Sequence, residues 1–197
     1  MAVDKEQIPS RKVRADAERN RDLLLATAKT AFARKGSGAS MDEIARAAGL
    51  GAGTLYRHFP NRDALIEAVY LNETRQLSDA ANQLAERHPP VDALREWMRL
   101  FVDYIATKRV MADALGSLAG GTSALYATTT ALITTALSLL IDRAVASGDI
   151  HLDLDPLDLL RALSGVANTG AGPQSDQSAK RLVDVLIAGL RTAGPDR

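Results

Sequence analysis

The 197-residue chain has no cysteine. That excludes disulfides, thiolate metal sites and a cysteine nucleophile, and it suits a reducing cytoplasm. No stretch alternates apolar and polar residues like a half-buried strand, so no sheet is expected. Residues Met1 to Ile8 carry Asp4, Lys5 and Glu6 without an apolar core, which excludes a secretory signal there. Catalytic constellations are missing too. The three histidines fall in a short helix (His58), at a helix end (His88) and in a loop (His151), so no nucleophile or acid/base pair converges and no enzyme is expected. His151 lies among Asp149, Asp153 and Asp155, but the spacing has neither the glycine nor the terminal Glu of a calcium loop. No metal and no cofactor are expected.

Charge is balanced overall and uneven along the chain. Residues 1–60 hold 11 Lys+Arg against 7 Asp+Glu, and residues 61–197 hold 13 against 17. A basic front before an acidic remainder suits an anionic partner such as nucleic acid. The run from Ala114 to Ile141 carries no charge and is long enough to span a membrane. It also contains Gly116, Gly120, Gly121 and eight Ser/Thr from Thr122 onward, and no basic flank. It reads as a break at Gly120-Gly121 followed by a helix buried on most sides of a soluble bundle.

Apolar spacing and punctuation predict about nine helices. Residues 1–14, with Pro9, Arg11, Lys12 and Arg14 but no periodicity, read as a flexible basic arm. A first helix covers 15–35, with Leu24, Leu25, Ala28, Ala31 and Phe32 on one face before Gly36-Ser37-Gly38. Ser40-Met41-Asp42-Glu43 has the S-x-x-E form of a capping box, so a helix starts there. Gly49 turns the chain, Gly51 precedes a second short helix over 52–59, and Pro60 closes it. Two short helices joined by a tight turn and packed on the first make a helix-turn-helix. Asn61 caps a helix over 62–87 that stops at His88-Pro89-Pro90. Further helices are expected over 91–108, 110–118, 120–147, from Asp155-Pro156 to about Gly170, and 176–192. The fold class is all-α, with domains at 15–60 and 61–197.

The residues Leu24-Leu25, Thr27-Ala28, Ala31-Phe32, Gly36, Ser40-Met41-Asp42-Glu43-Ile44-Ala45 and Ala48-Gly49-Leu50 resemble the tetracycline-repressor (TetR) family of bacterial regulators. The string Gly53-Thr54-Leu55-Tyr56-Arg57-His58-Phe59-Pro60-Asn61-Arg62 carries the resemblance most specifically. It implies an N-terminal three-helix DNA-binding domain and a C-terminal helical domain for ligand binding and dimerisation. It also implies that Tyr56, His58 and Arg62 contact phosphate. Gly51 departs from the family's usual Ser or Thr, which removes one capping hydroxyl and its phosphate contact. Arg62 stands where Lys is usual, and a guanidinium can make that contact bidentate.

The second helix of a helix-turn-helix enters the major groove through its N-terminal residues. With Leu55 and Phe59 inward, Ala52, Gly53, Thr54, Tyr56, Arg57 and His58 remain for DNA, joined by Ser40 and Met41 at the preceding helix start. Arg11, Lys12 and Arg14 add contacts from the arm. Pairing about a two-fold axis is expected through the last two helices, at Leu159, Ala162, Leu163, Gly165, Val166, Leu182, Leu186, Ile187 and Leu190. Tyr70, Trp97, Met98, Phe101, Tyr104, Met111 and Tyr126 are candidates to line a small-molecule pocket, although aromatic and Met stripes at helical spacing equally serve as plain core. The expected function is a cytoplasmic, nucleoid-associated regulator. It would repress as a dimer on a palindromic operator and be released by a small molecule. A small helical enzyme and a protein-binding helical adaptor are the alternatives.

Overall fold

The computed structural model describes residues 7–168, 170 and 172–191, without the side chains of residues 7–12 and 173. Nine α-helices occupy them: α1 (Gln7–Lys35), α2 (Met41–Ala47), α3 (Ala52–His58), α4 (Arg62–Arg87), α5 (Pro90–Val110), α6 (Ala112–Gly116), α7 (Ser123–Ala146), α8 (Pro156–Asn168) and α9 (Pro173–Leu190). A 3-10 turn, Gly36–Gly38, follows α1. The described residues contain no strand, only an isolated antiparallel bridge between Ile150 and Arg191.

The chain divides into two compact units. Met1–Tyr70 and Val110–Gly121 form one, and Leu71–Arg109 and Thr122–Arg197 the other. The first is built on Leu24, Leu25 and Phe32 of α1, Ile44 of α2, Leu55 of α3 and Leu65 of α4, each at most 2% exposed. Fully burying one such side chain contributes roughly 1.5–3 kcal/mol. Met111, which precedes α6, and Leu115 within it belong to the same core, at 0% and 1%.

In the second unit α7 packs on α8 and α8 on α9. Ion pairs join α5 to α9. Arg99 grips Asp184 with bonds of 2.8 and 3.0 Å, Lys180 pairs with Asp103 at 2.7 Å, and Arg109 reaches both Asp176 (2.9 Å) and the Ala167 carbonyl (2.8 Å).

Several boundaries differ from expectation for identifiable reasons. The helix begins at Gln7 where a flexible arm was expected through residue 14. The Arg, Lys, Ala and Glu that follow Pro9 are good helix formers. Residues 1–6 of that arm lie outside the described residues. α7 starts at Ser123 because Gly121 takes φ +69 and turns the chain. α9 starts at Pro173, which takes the first helical position after Gly172 at φ +97.

α7 is long and apolar enough to cross a membrane, yet only 33% of its most apolar window is buried. It is therefore not buried on most sides as expected. Leu132 and Leu139 are exposed among Ala and Thr residues. Thr128 and Thr135 donate to the carbonyls of Ala124 and Ala131, so these hydroxyls are satisfied within the helix.

Candidate nucleic-acid interface

α2 starts as a capped helix. Ser40 sits extended at φ −93, ψ 149, and its hydroxyl accepts a hydrogen bond from the Glu43 N–H at 3.2 Å. The Glu43 carboxylate turns mainly to Lys35, at 2.8 Å. That ion pair is the first cause that holds its pKa below the usual range, and the Ser40 backbone adds a smaller push. Ser40 is exposed. Met41, expected at the interface, is only 8% exposed. Its apolar side chain goes to the core, which leaves only its backbone to face a partner.

After α2, Gly49 takes φ +68 and turns the chain into α3. Leu55 (0% exposed) and Phe59 (3%) fix the inner face of α3. The outer face carries Ala52, Gly53, Tyr56 and Arg57, all exposed, with Thr54 and His58 half-buried. Tyr56 is 46% exposed, a large aromatic surface left open next to a fully buried Leu55. A Cβ on Gly53 would meet nothing within 4 Å. A helical glycine costs about 1 kcal/mol relative to alanine, and nothing in the chain's own packing requires one there. Close approach of a partner backbone would require it.

His58 packs its ring 6.1 Å from Phe59, on which the Arg21 guanidinium also rests at 5.7 Å. Asn61 caps α4 by accepting from the Ala64 N–H at 2.8 Å. Arg14 is exposed on α1. The side chains of Arg11 and Lys12 lie outside the described residues.

Arg62 departs most from its expected role. Its guanidinium lies over the Phe32 ring at 5.3 Å and points into the chain. Nη2 donates to the carbonyls of Gly36 (3.2 Å) and Ser37 (3.0 Å), Nε to that of Ala39 (3.4 Å), and Nη1 to the Ser117 hydroxyl (2.9 Å). A guanidinium has five N–H donors, and four of these are taken within the chain. The bidentate contact expected of Arg62 is not available in this arrangement.

The neighbouring contacts were not legible in the sequence. The Asp113 carboxylate accepts from the Ser37 N–H at 2.8 Å, and Asp63 accepts from the Ala119 N–H at 3.0 Å. Hydrogen bonding from the Ser37 backbone, then from its side chain, holds the Asp113 pKa below the usual aspartate value. No local pattern marks these partners, because Asp113 is 76 residues from Ser37.

The remaining expected residues are placed as follows. Tyr70 and Met111 are buried in the first unit. In the second, Trp97 donates to the Leu77 carbonyl at 2.9 Å and stacks on Phe101 at 5.9 Å. Phe101 stacks on Tyr104 at 6.0 Å, and the Tyr104 hydroxyl lies 3.3 Å from that of Thr74. Met98 is fully buried. Tyr126 is half-buried, with the Lys108 ammonium 4.0 Å over its ring.

Of the expected dimer residues, Leu159, Leu163 and Ile187 are at most 3% exposed. They are committed to the chain's own core and are not open to a second copy. Ala162, Gly165 and Leu182 are exposed, and Val166, Leu186 and Leu190 are half-buried. Val185, not anticipated from the sequence, is 64% exposed.

Comparison with known proteins bears on this arrangement. Residues 24–69 match the family described as bacterial regulatory proteins, tetR family, and residues 89–192 match the SbtR-like transcriptional regulator C-terminal domain. A TetR transcriptional regulator of Streptomyces coelicolor is 43% identical, with a TM-score of 0.80, over 88% of this chain and 99% of that one. A TetR regulatory protein of Mycobacterium vanbaalenii is 35% identical, with a TM-score of 0.75, over 91% and 99%. A probable acrEF/envCD operon repressor of Escherichia coli is 31% identical over 100 residues, 49% of this chain. The match spans 46% of that relative's own length, about half. With one family match over more than half of its length and a 43% identical regulator over 88% of it, the chain belongs to the TetR family of DNA-binding transcriptional regulators, which are not enzymes.

Proposed function

We propose that the chain is a ligand-responsive repressor that binds a palindromic operator as a homodimer and is released from it by a small molecule. The outer face of α3 carries this reading. Tyr56 and Arg57 stand exposed beside Ala52 and Gly53, which pairs polar groups for phosphate and base edges with room for close backbone approach. Thr54, His58, Ser40 and the basic start of α1 with Arg14 complete the surface.

One helix-turn-helix reads too few base pairs to select a site, so pairing about a two-fold axis is part of the proposal. Ala162 and Gly165 of α8, with Leu182 and Val185 of α9, offer an exposed apolar face whose small residues allow close helix approach. DNA reading falls to residues 15–60 with the basic residues before them, and effector binding and dimerisation to residues 61–197. Trp97, Met98, Phe101, Tyr104 and Tyr126, all of the second unit, are the proposed surroundings of the effector. The protein would work in the cytoplasm on the nucleoid.

The test is enrichment of duplexes from a random pool by the purified protein, followed by mass determination of the complex. Enrichment of an inverted repeat carrying two chains supports the reading. An enriched asymmetric site carrying one chain would rule out the dimeric repressor, and no enrichment at all would favour a protein-binding adaptor.

A further inference from the structure

Arg62 and Asp113 act on one short piece of backbone from two directions. Arg62 gathers the carbonyls of Gly36, Ser37 and Ala39, while Asp113 holds the Ser37 N–H at 2.8 Å. The next residue in the chain, Ser40, is the cap of α2. Gly36 fits the arrangement on two counts. Its φ is +52, and a Cβ there would overlap the Asp113 carboxylate. Ser117 and Ala119 supply further bonds to Arg62 and Asp63, so residues 113–119 are held against the turn and the start of α4. All of these residues belong to the first compact unit.

We infer that Arg62 and Asp113 are positioning residues for DNA binding: they clamp the Gly36–Ala39 backbone and thereby place the Ser40 start of α2, and Arg62 is not a phosphate ligand. The inference rests on the DNA-binding reading and makes opposite predictions from a charge-only account. If only charge mattered, removing the Asp113 carboxylate would strengthen binding to a polyanion, and Lys at position 62 would serve as well as Arg. In a clamp, Asp113→Asn loses the charged acceptor. Arg62→Lys loses the fork that reaches three carbonyls at once, since an ammonium is a point donor.

The experiment measures the affinity of full-length wild type, Asp113→Asn, Arg62→Lys and Arg62→Gln for the duplex enriched by wild type, across a salt series. Amide hydrogen exchange at residues 37–43 is followed in the same proteins without DNA. The clamp predicts that Asp113→Asn and Arg62→Lys each weaken binding by about tenfold, the scale of one charge-assisted hydrogen bond. It also predicts faster exchange at residues 37–43 and an unchanged salt slope for Arg62→Gln. Tighter or equal binding by Asp113→Asn overturns the inference. So does a salt slope lowered by about one in Arg62→Gln, the mark of a lost phosphate contact. Ser117→Ala, which removes a single neutral partner of Arg62, guards against a folding artefact and should show the same exchange change in smaller measure. A wild-type chain that binds no duplex fails the regulator reading itself, a result distinct from any difference among the variants.

Discussion

The Asp113 carboxylate accepts a 2.8 Å hydrogen bond from the backbone N–H of Ser37, across 76 residues of sequence. Through it a segment far along the chain fixes the turn that leads into α2. Gly36 sits where a side chain fits poorly. Gly36→Ala puts a Cβ at φ +52 and against the carboxylate. The backbone strain alone costs about 1–2 kcal/mol, and displacing Asp113 adds to it. Adding Asp113→Ala removes the overlap, so the double variant should be less destabilised than the two single effects sum to, by denaturant unfolding. Strict additivity would mean that the two residues do not meet.

Acid should loosen the same contact. The Asp113 pKa is lowered, so its contribution is present above the unfolded-state value and is lost as pH falls through the lower folded value. The side-chain carboxyl resonance of Asp113 should titrate below the ordinary aspartate midpoint of about 3.9. The Ser37 amide should keep its protection until that titration and lose it with it. A midpoint at or above the ordinary value would contradict the bond.

Leu55 and Tyr56 are adjacent in sequence and face opposite ways, at 0% and 46% exposed. Leu55→Ala should destabilise the folded chain by about 2–5 kcal/mol, as deletion of buried methyl groups does. Tyr56→Ala should change stability by no more than about 0.5 kcal/mol. Thermal or denaturant unfolding of the pair separates the residue that builds the helix-turn-helix from the one that it presents. A large destabilisation by Tyr56→Ala would return Tyr56 to the core.

Gly165→Glu and Val185→Glu test the proposed dimer. Gly165 is exposed with nothing within 4 Å of a Cβ, and Val185 is 64% exposed. Neither charge should disturb the monomer fold, and each should shift the sedimentation equilibrium toward single chains. Leu163→Ala, at 1% exposed, should instead lower stability. A Val185→Glu chain that stays fully dimeric would move the interface elsewhere.

The helix plan was legible because punctuation is local. Ser40, Gly49, Asn61 and Gly148 mark their helix ends by their own chemistry, and the α3 string carried its family resemblance. Three kinds of feature were not legible. Residues 7–14 read as an arm because they carry no apolar period, and helix propensity alone leaves no periodic mark. Leu159, Leu163 and Ile187 carry the period of an apolar face, and periodicity does not distinguish the chain's own core from a partner's. Arg62 sits where the family places a cation for phosphate, but its geometry depends on Ser117 and on carbonyls 23 to 26 residues away.

The most direct test of the account is fluorescence anisotropy of the enriched duplex with wild type and Tyr56→Ala, across a salt series. The account predicts specific binding that falls log-linearly and steeply with salt, and loss of that binding in Tyr56→Ala without loss of fold. Binding that ignores both salt and Tyr56 would contradict it.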